Sequence, residues 1–223
     1  MRDIPLFTGQ NGTATLIFRE IPYRGLAYVL VRQVWDGRTA ALLAECRDFC
    51  RAAGAARVLA TADEPLDFLP HVHDMVELSC RREALPPPTP PVPLCPVTEE
   101  TFETYRTLYN RLFRAVPNAA TCTVEGLRQA LREEQVCLAL DGGEVAGVAQ
   151  WTDGCLRAIG VLPAHRGLGY PLALTILARM TAETVTLGVS SANGPALRLY
   201  ERLGFVQSRL LSRWYDLDAL REG

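Results

Sequence analysis

The sequence predicts an α/β (α+β) protein in two parts. Three observations support it. From residue 92 onward, short apolar runs alternate with the i, i+3, i+4 spacing of amphipathic helices. A glycine-rich turn, Arg166-Gly167-Leu168-Gly169, joins one of those runs to a helix. Before both lies Ala84-Leu85-Pro86-Pro87-Pro88-Thr89-Pro90-Pro91-Val92-Pro93, whose prolines stiffen the chain into an extended connector. The predicted division is a first part over 1–84, a connector over 85–93 and a second part over 94–218.

The elements follow in order. In the first part, Leu26 to Val34 reads as a strand and Arg38 to Ala53 as a helix, with Leu42, Leu43, Cys46, Phe49 and Cys50 on one side. A strand at 57–61, a short helix near 66–71 and a strand at 75–81 come next. In the second part, 92–97 reads as a strand. Helical spacing runs through Phe102, Tyr105, Leu108, Tyr109, Leu112 and Phe113, and a short helix starts at Thr123. Strands at 136–140 and 145–151 flank Asp141-Gly142-Gly143, a hairpin signal. A strand at 156–161 leads into the glycine turn and a helix at 170–182. A strand at 184–190, a helix at 193–203 and strands at 205–209 and 211–217 complete the order.

Composition sets bounds. Of 223 residues, 48% are hydrophobic and 22% charged, as in an ordinary globular protein. A net charge of −2 argues against a general nucleic-acid or membrane-surface binder. No apolar run approaches spanning length, and Met1-Arg2-Asp3-Ile4-Pro5 has no leader-like apolar core. All 23 basic residues are arginine, so lysine self-modification is impossible. Seven scattered cysteines suit reduced thiols in a cytoplasm. Cys46, Cys50, His71, His73 and Cys80 have no metal-ligand framework, and no metal is expected.

A glycine-rich turn at a helix start gathers several backbone N–H groups around one point, where the helix dipole adds positive charge. Such a turn suits a phosphate or pyrophosphate. Ile159 to Pro171 has that form, and Leu172, Leu174, Ile176, Leu177 and Met180 give the helix its apolar stripe. About thirty residues later comes Asn193-Gly194-Pro195-Ala196-Leu197-Arg198-Leu199-Tyr200-Glu201-Arg202-Leu203-Gly204-Phe205. Arg166-x-x-Gly169 and Asn193-x-x-Ala196-x-x-x-Tyr200-x-x-x-Gly204-Phe205 together resemble the two signatures of the GNAT superfamily of acyl-CoA-dependent N-acyltransferases. The resemblance covers residues 92–218. One place departs: Pro171 stands where the family has Gly or Ala, and it removes one N–H.

The resemblance implies a mixed, mostly antiparallel sheet with a splayed cofactor cleft. It implies acetyl-CoA, or a related acyl-CoA, as co-substrate and an amine of a small molecule or peptide as acceptor. Backbone N–H groups of Arg166, Gly167, Leu168, Gly169 and Tyr170 would hold the pyrophosphate. Gly167 and Gly169 would permit positive φ and close approach. Ile159 and Val161 would pair with the pantetheine arm, with the Val161 N–H on the thioester oxygen. Asn193 would bond the pantetheine or cap its helix. Tyr200 would be the general acid. Asp153 and Glu144 are weak candidates for the base, and Trp151, Trp214 and Tyr215 for the acceptor pocket. The first part repeats the strand-helix-strand-helix-strand order of the cofactor half and reads as a smaller, degenerate GNAT-like half, the alternative being an unrelated small α/β domain with the same element order. Its corresponding turn, Val34-Trp35-Asp36-Gly37-Arg38, lacks the glycine pattern and carries an acid, so it is expected to bind no CoA. The alternative to an enzyme is an acyl-CoA-binding sensor or scaffold without catalysis. A nucleotide-binding module is disfavoured by the absence of Gly-Lys-Ser/Thr.

Overall fold

The computed structural model describes residues 2–87 and 89–221. The chain gathers into two units. One holds the first 75 residues and those from Leu210 onward; the other is Val76–Arg209.

The first unit starts with a hairpin that the sequence reading missed, β1 (Ile4–Thr8) with β2 (Gly12–Ile17). One helical turn, α1 (Ile21–Arg24), ends on Gly25, whose φ of 65° gives a left-handed cap. β3 (Leu26–Val34), α2 (Thr39–Ala52) and β4 (Arg57–Thr61) form a crossover with parallel strands. α2 turns Leu42, Leu43, Cys46 and Cys50 inward, onto Ala14, Leu16, Val29, Val58 and Ala60. Burial pushes the Cys46 and Cys50 thiols up to about 12. Both pack as small apolar groups in this core. The expected helix near 66–71 is instead a turn leading into β5 (His71–Arg81). Pro70 disfavours helical geometry at Leu69, while Leu66 and Leu69 are held in the core as loop residues.

In the second unit, β6 (Leu94–Pro96) lies beside β7 (Gln135–Asp141). The chain between them folds into α3 (Phe102–Phe113) and α4 (Val124–Glu133). β7 and β8 (Glu144–Thr152) form the expected hairpin, with Gly142 and Gly143 at φ 58° and 88° supplying its two-residue turn. β9 (Cys155–Val161) pairs antiparallel with β8. Then come α5 (Gly169–Leu177), β10 (Thr184–Ser190) and α6 (Gly194–Arg202). β10 runs parallel to β9, paired at Cys155 and Thr186. The helix expected over 170–182 stops at Leu177, yet Met180 still enters the core.

Strand alternation sorts this sheet into two faces. Val136, Leu138 and Val148 pack with Phe102, Tyr105, Leu108 and Leu127 of α3 and α4. Cys137, Ala139, Ala149 and Trp151 pack on the other face with Leu172, Ile176 and Leu177 of α5. The result is the mixed, mostly antiparallel sheet expected, with helices on both faces.

β11 (Val206–Asp216) is one strand where the sequence predicts two. Within the second unit, its Ser208 and Arg209 bond the Glu77 carboxylate of β5 at 2.9 and 3.0 Å. Within the first, its Tyr215 and Asp216 lie beside Ala60 and Leu59 of β4, and Leu217 is fully buried in that core. The units thus differ from the linear division at the proline run, because strand pairing is non-local. No helix among the described residues is long and apolar enough to cross a membrane.

Candidate acyl-CoA site

The site begins on β9. Leu162, just past the strand, donates its N–H to Ala146 O at 2.8 Å, toward β8. Backbone groups alternate sides along a strand. Gly160 therefore also faces β8, and the N–H and C=O of Ile159 and Val161 face the opposite edge. On that edge β10 pairs with β9 at Cys155. Gly160 is closely packed: a Cβ there would lie 2.9 Å from Leu112 Cδ1 and 3.1 Å from Phe113 Cε2, so those side chains would have to shift.

Two tight turns carry the chain from β9 to α5. His165 N–H bonds Leu162 O at 2.9 Å and Leu168 N–H bonds His165 O at 3.1 Å. The Leu168 N–H, one of the five expected donors, is therefore already used. Those of Arg166, Gly167, Gly169 and Tyr170 meet no acceptor among the described residues. Leu168 is the N-cap and offers no side-chain oxygen to the first turn. Gly167 sits at φ 102°, a conformation L side chains avoid. Gly169 does not have the positive φ expected of it. It is the first residue of α5, and a Cβ there would meet only Leu199 Cδ2, at 3.8 Å. The fold itself has room for alanine at 169. Pro171 is the third helical residue, where its missing N–H has no helix partner.

α6 lies against the start of α5. Arg202 places its guanidinium 4.6 Å above the Tyr170 ring. Asn193 caps α6, its Oδ1 accepting the Ala196 N–H at 3.3 Å. Gly204, at φ 86°, ends the helix, and Phe205 N–H returns to Tyr200 O at 3.0 Å. The Asn…Gly-Phe pattern is thus helix punctuation. Tyr200 is buried with its ring 5.9 Å from Phe205, and burial pushes its phenol up to about 12. Its hydroxyl makes no hydrogen bond to another described residue.

The expected base candidates do not form a site. Asp153 accepts from Thr181 N and Oγ1, both at 2.5 Å, and from Ala182 N at 3.1 Å. These bonds, the Thr181 hydroxyl first, hold its carboxyl below the usual range. Glu144 is exposed at the hairpin. Trp151 is core of the second unit, and Trp214 and Tyr215 are buried in the first.

Two features escaped the sequence reading. His165 Nδ1 lies 2.8 Å from Asp141 Oδ2, tying the glycine turn to the β7–β8 hairpin. The Tyr105 hydroxyl donates to Gln150 Oε1 at 3.2 Å, and Gln150 Nε2 donates to Glu134 Oε2 at 2.8 Å. Arg157 of β9 approaches the same carboxylate at 3.9 Å. Tyr105 is wholly buried, and that burial raises its phenol far above the ordinary value. The available signal was Gln150 itself, a polar residue at an inward position between Ala149 and Trp151.

Comparison with known proteins yields no match among curated sequences. Solved structures are similar in fold. One is a GCN5-related N-acetyltransferase from Sphaerobacter thermophilus (TM-score 0.57, 19% identity, covering 95% of this chain and 77% of that one). Another is a functionally unknown conserved protein from Staphylococcus epidermidis (TM-score 0.61, 13%, 93% and 90%). A third is a tandem GNAT protein from the clavulanic acid biosynthesis pathway (TM-score 0.52, 17%, 95% and 81%). Residues 98–205 match the acetyltransferase (GNAT) family. That span contains β9, the glycine turn, α5, β10 and α6, and it is a domain of the GNAT acetyltransferase family.

Proposed function

We propose that the chain transfers an acetyl or other short acyl group from acyl-CoA to an amine of a small molecule or peptide. The observation that carries this reading is the helix start at 166–170. Its unclaimed N–H groups adjoin a glycine whose Cβ position is open. A diphosphate fits there: four N–H donors, the α5 dipole and the Arg166 guanidinium all favour negative charge. Ile159 and Val161 offer backbone donors and acceptors to an amide-bearing arm, and Asn193 keeps an amide N–H₂ beyond its capping oxygen.

Bound acyl-CoA supplies the activated thioester. The protein's residues then orient groups and manage protons. Tyr200 holds its proton throughout the neutral range. A phenol near 12 facing a thiol of about 8.5 would give up that proton only at a cost of roughly 5 kcal/mol. Tyr200 therefore serves as a hydrogen-bond donor to developing negative charge, with full proton transfer left to solvent. Glu134, oriented by Gln150 and Arg157 beside β9, is the carboxylate we assign to the acceptor side. An ammonium of pKa about 10 must lose a proton before it attacks.

The deciding experiment follows CoA thiol release from acetyl-CoA with a panel of amines. Release above hydrolysis with at least one amine supports transfer. Binding of acetyl-CoA with no release to any amine assigns the chain as a sensor or scaffold instead, the reading that Pro171 and its missing N–H favour.

A further inference from the structure

The first unit contains a gap in its sheet that acyl transfer does not use. β3 and β4 run in register only as far as Leu30 beside Thr61. On the other side of β4, β11 pairs through Tyr215 and Asp216. β4 then stops at Thr61, while β3 continues to Val34 and β11 also occupies residues 210–213. Beyond Thr61, these two strands face each other across the place of a missing strand. Neighbouring strands lie about 4.8 Å apart, so the opening spans roughly 10 Å, the width of one inserted strand.

A cavity of about 380 Å³ occupies that place, lined by β3, β11 and the Ala62–Pro65 segment. A second, of about 410 Å³, continues along β3 to Gly37 and Thr39 and shares the wall of Ala62–Pro65. Among the described residues, no backbone hydrogen bond crosses from β3 31–34 or β11 210–213 into the gap. Large apolar side chains stay exposed around it: Leu210 at 41%, Leu211 at 45% and Phe68 at 53%. Charge lines it too. Arg32 stands on β3 and Arg213 on β11, and Asp63 and Glu64 stand on the segment after β4.

We propose that this gap binds an extended peptide segment, which enters as the strand that β4 does not continue. Two facing strand edges call for a ligand with donors and acceptors at backbone spacing, which a peptide has. The free length of β3, four residues at about 3.3 Å each, accommodates three or four residues of peptide. Acid on the Ala62–Pro65 segment and an arginine on each strand favour a segment carrying both basic and acidic side chains. A phosphorylated arm is disfavoured, because the turn at the end of β3 presents Asp36, at φ 51°, where a phosphate would sit. The site is independent of the acyl-CoA reading and stands or falls separately.

The test is hydrogen–deuterium exchange on the full chain with the blocked tetrapeptide Ac-Val-Lys-Val-Glu-amide at up to millimolar concentration. Expected is a slowing of roughly tenfold or more at 31–34 and at 210–213 together. A peptide with proline at the third position lacks one N–H and should bind about tenfold more weakly. Ser212→Trp fills the gap and should abolish protection while leaving the melting temperature within a few degrees. If that variant fails to fold, the proline peptide on the parent chain decides. Three results would each overturn the proposal: no protection at either edge, equal protection by the proline peptide, or protection of these edges by acetyl-CoA in place of peptide.

Discussion

Gly169→Ala separates a glycine kept for the fold from one kept for a ligand. The new Cβ meets only Leu199 Cδ2, at 3.8 Å, an ordinary contact. The residue is helical, where alanine is favoured by up to about 1 kcal/mol, less in a first turn. The unliganded melting temperature should therefore stay the same or rise slightly. The ligand response should behave differently. At a hundred times Kd, acetyl-CoA should stabilise the parent by about 2.7 kcal/mol. For a chain of this size, that is roughly 5–11 °C in Tm. The Cβ projects into the space above the turn. If it weakens binding tenfold, stabilisation at the same concentration falls to about 1.4 kcal/mol, and the shift halves. Thermal melts of both proteins with and without acetyl-CoA measure the two effects in one experiment. A variant that melts well below the parent but keeps the full ligand shift would show that glycine serves the fold, and the cradle reasoning would be refuted. Gly167→Ala is the contrasting control, because φ 102° imposes a strain of order 1–3 kcal/mol on any side chain there.

Tyr200→Phe should lower turnover by about tenfold, with acetyl-CoA affinity nearly unchanged, and the ratio should be flat from pH 6 to 9, since the phenol stays protonated throughout. Steady-state rates across pH check this; a loss appearing only above neutrality would point to an ionising group. Glu134→Gln should reduce kcat at least as much and raise the pH at which the rate reaches its plateau, whereas Gln150→Leu should cost less; pH–rate profiles with a fixed amine distinguish them. Stability should fall between pH 10 and 12, because the Tyr200 phenol ionises in the unfolded chain first, while burial keeps it protonated in the fold. At the acid end, the Asp153 carboxylate contributes stability above the ordinary aspartate range and loses it as pH falls through its lowered value; Asp153→Asn should flatten that limb of a denaturation curve. A fragment of residues 95–223 should be poorly soluble. It lacks the end of β5, including Glu77, and carries residues 210–221, whose core partners lie in the first 75.

Much of the second unit was legible because its signals are local. The Gly142-Gly143 turn, the apolar alternation on either side of it and the glycine turn before α5 each act within a few residues. Asn193 and Gly204 punctuate α6 from its two ends. The first unit was harder to read. β2 alternates only Ala14 and Leu16 with threonines, a weak amphipathic pattern, so the opening hairpin passed as loop. Residues 66–71 have helical apolar spacing, yet the prolines at 65 and 70 leave too little room for a helix. The partners of β5 and β11 lie far away in sequence, and nothing near Tyr215 marks Ala60 as its neighbour. The same holds at the site. Glu134 reads as a helix-end acid until Gln150, sixteen residues on, is seen donating to it.

The closure of the first unit by residues 210–221 has a consequence for synthesis. Val58 and Ala60 leave the ribosome early, whereas Tyr215 and Leu217, which share their core, emerge about 150 residues later. At 5–20 residues per second, that interval is roughly 8–30 s. Throughout it, the β4 edge that Tyr215 will cover stays open, and an open strand edge is a template for pairing with other chains. The half translated first is thus the half completed last. Its yield in the cell should depend on elongation rate and on chaperones that shield nascent strand edges, more than on its final stability.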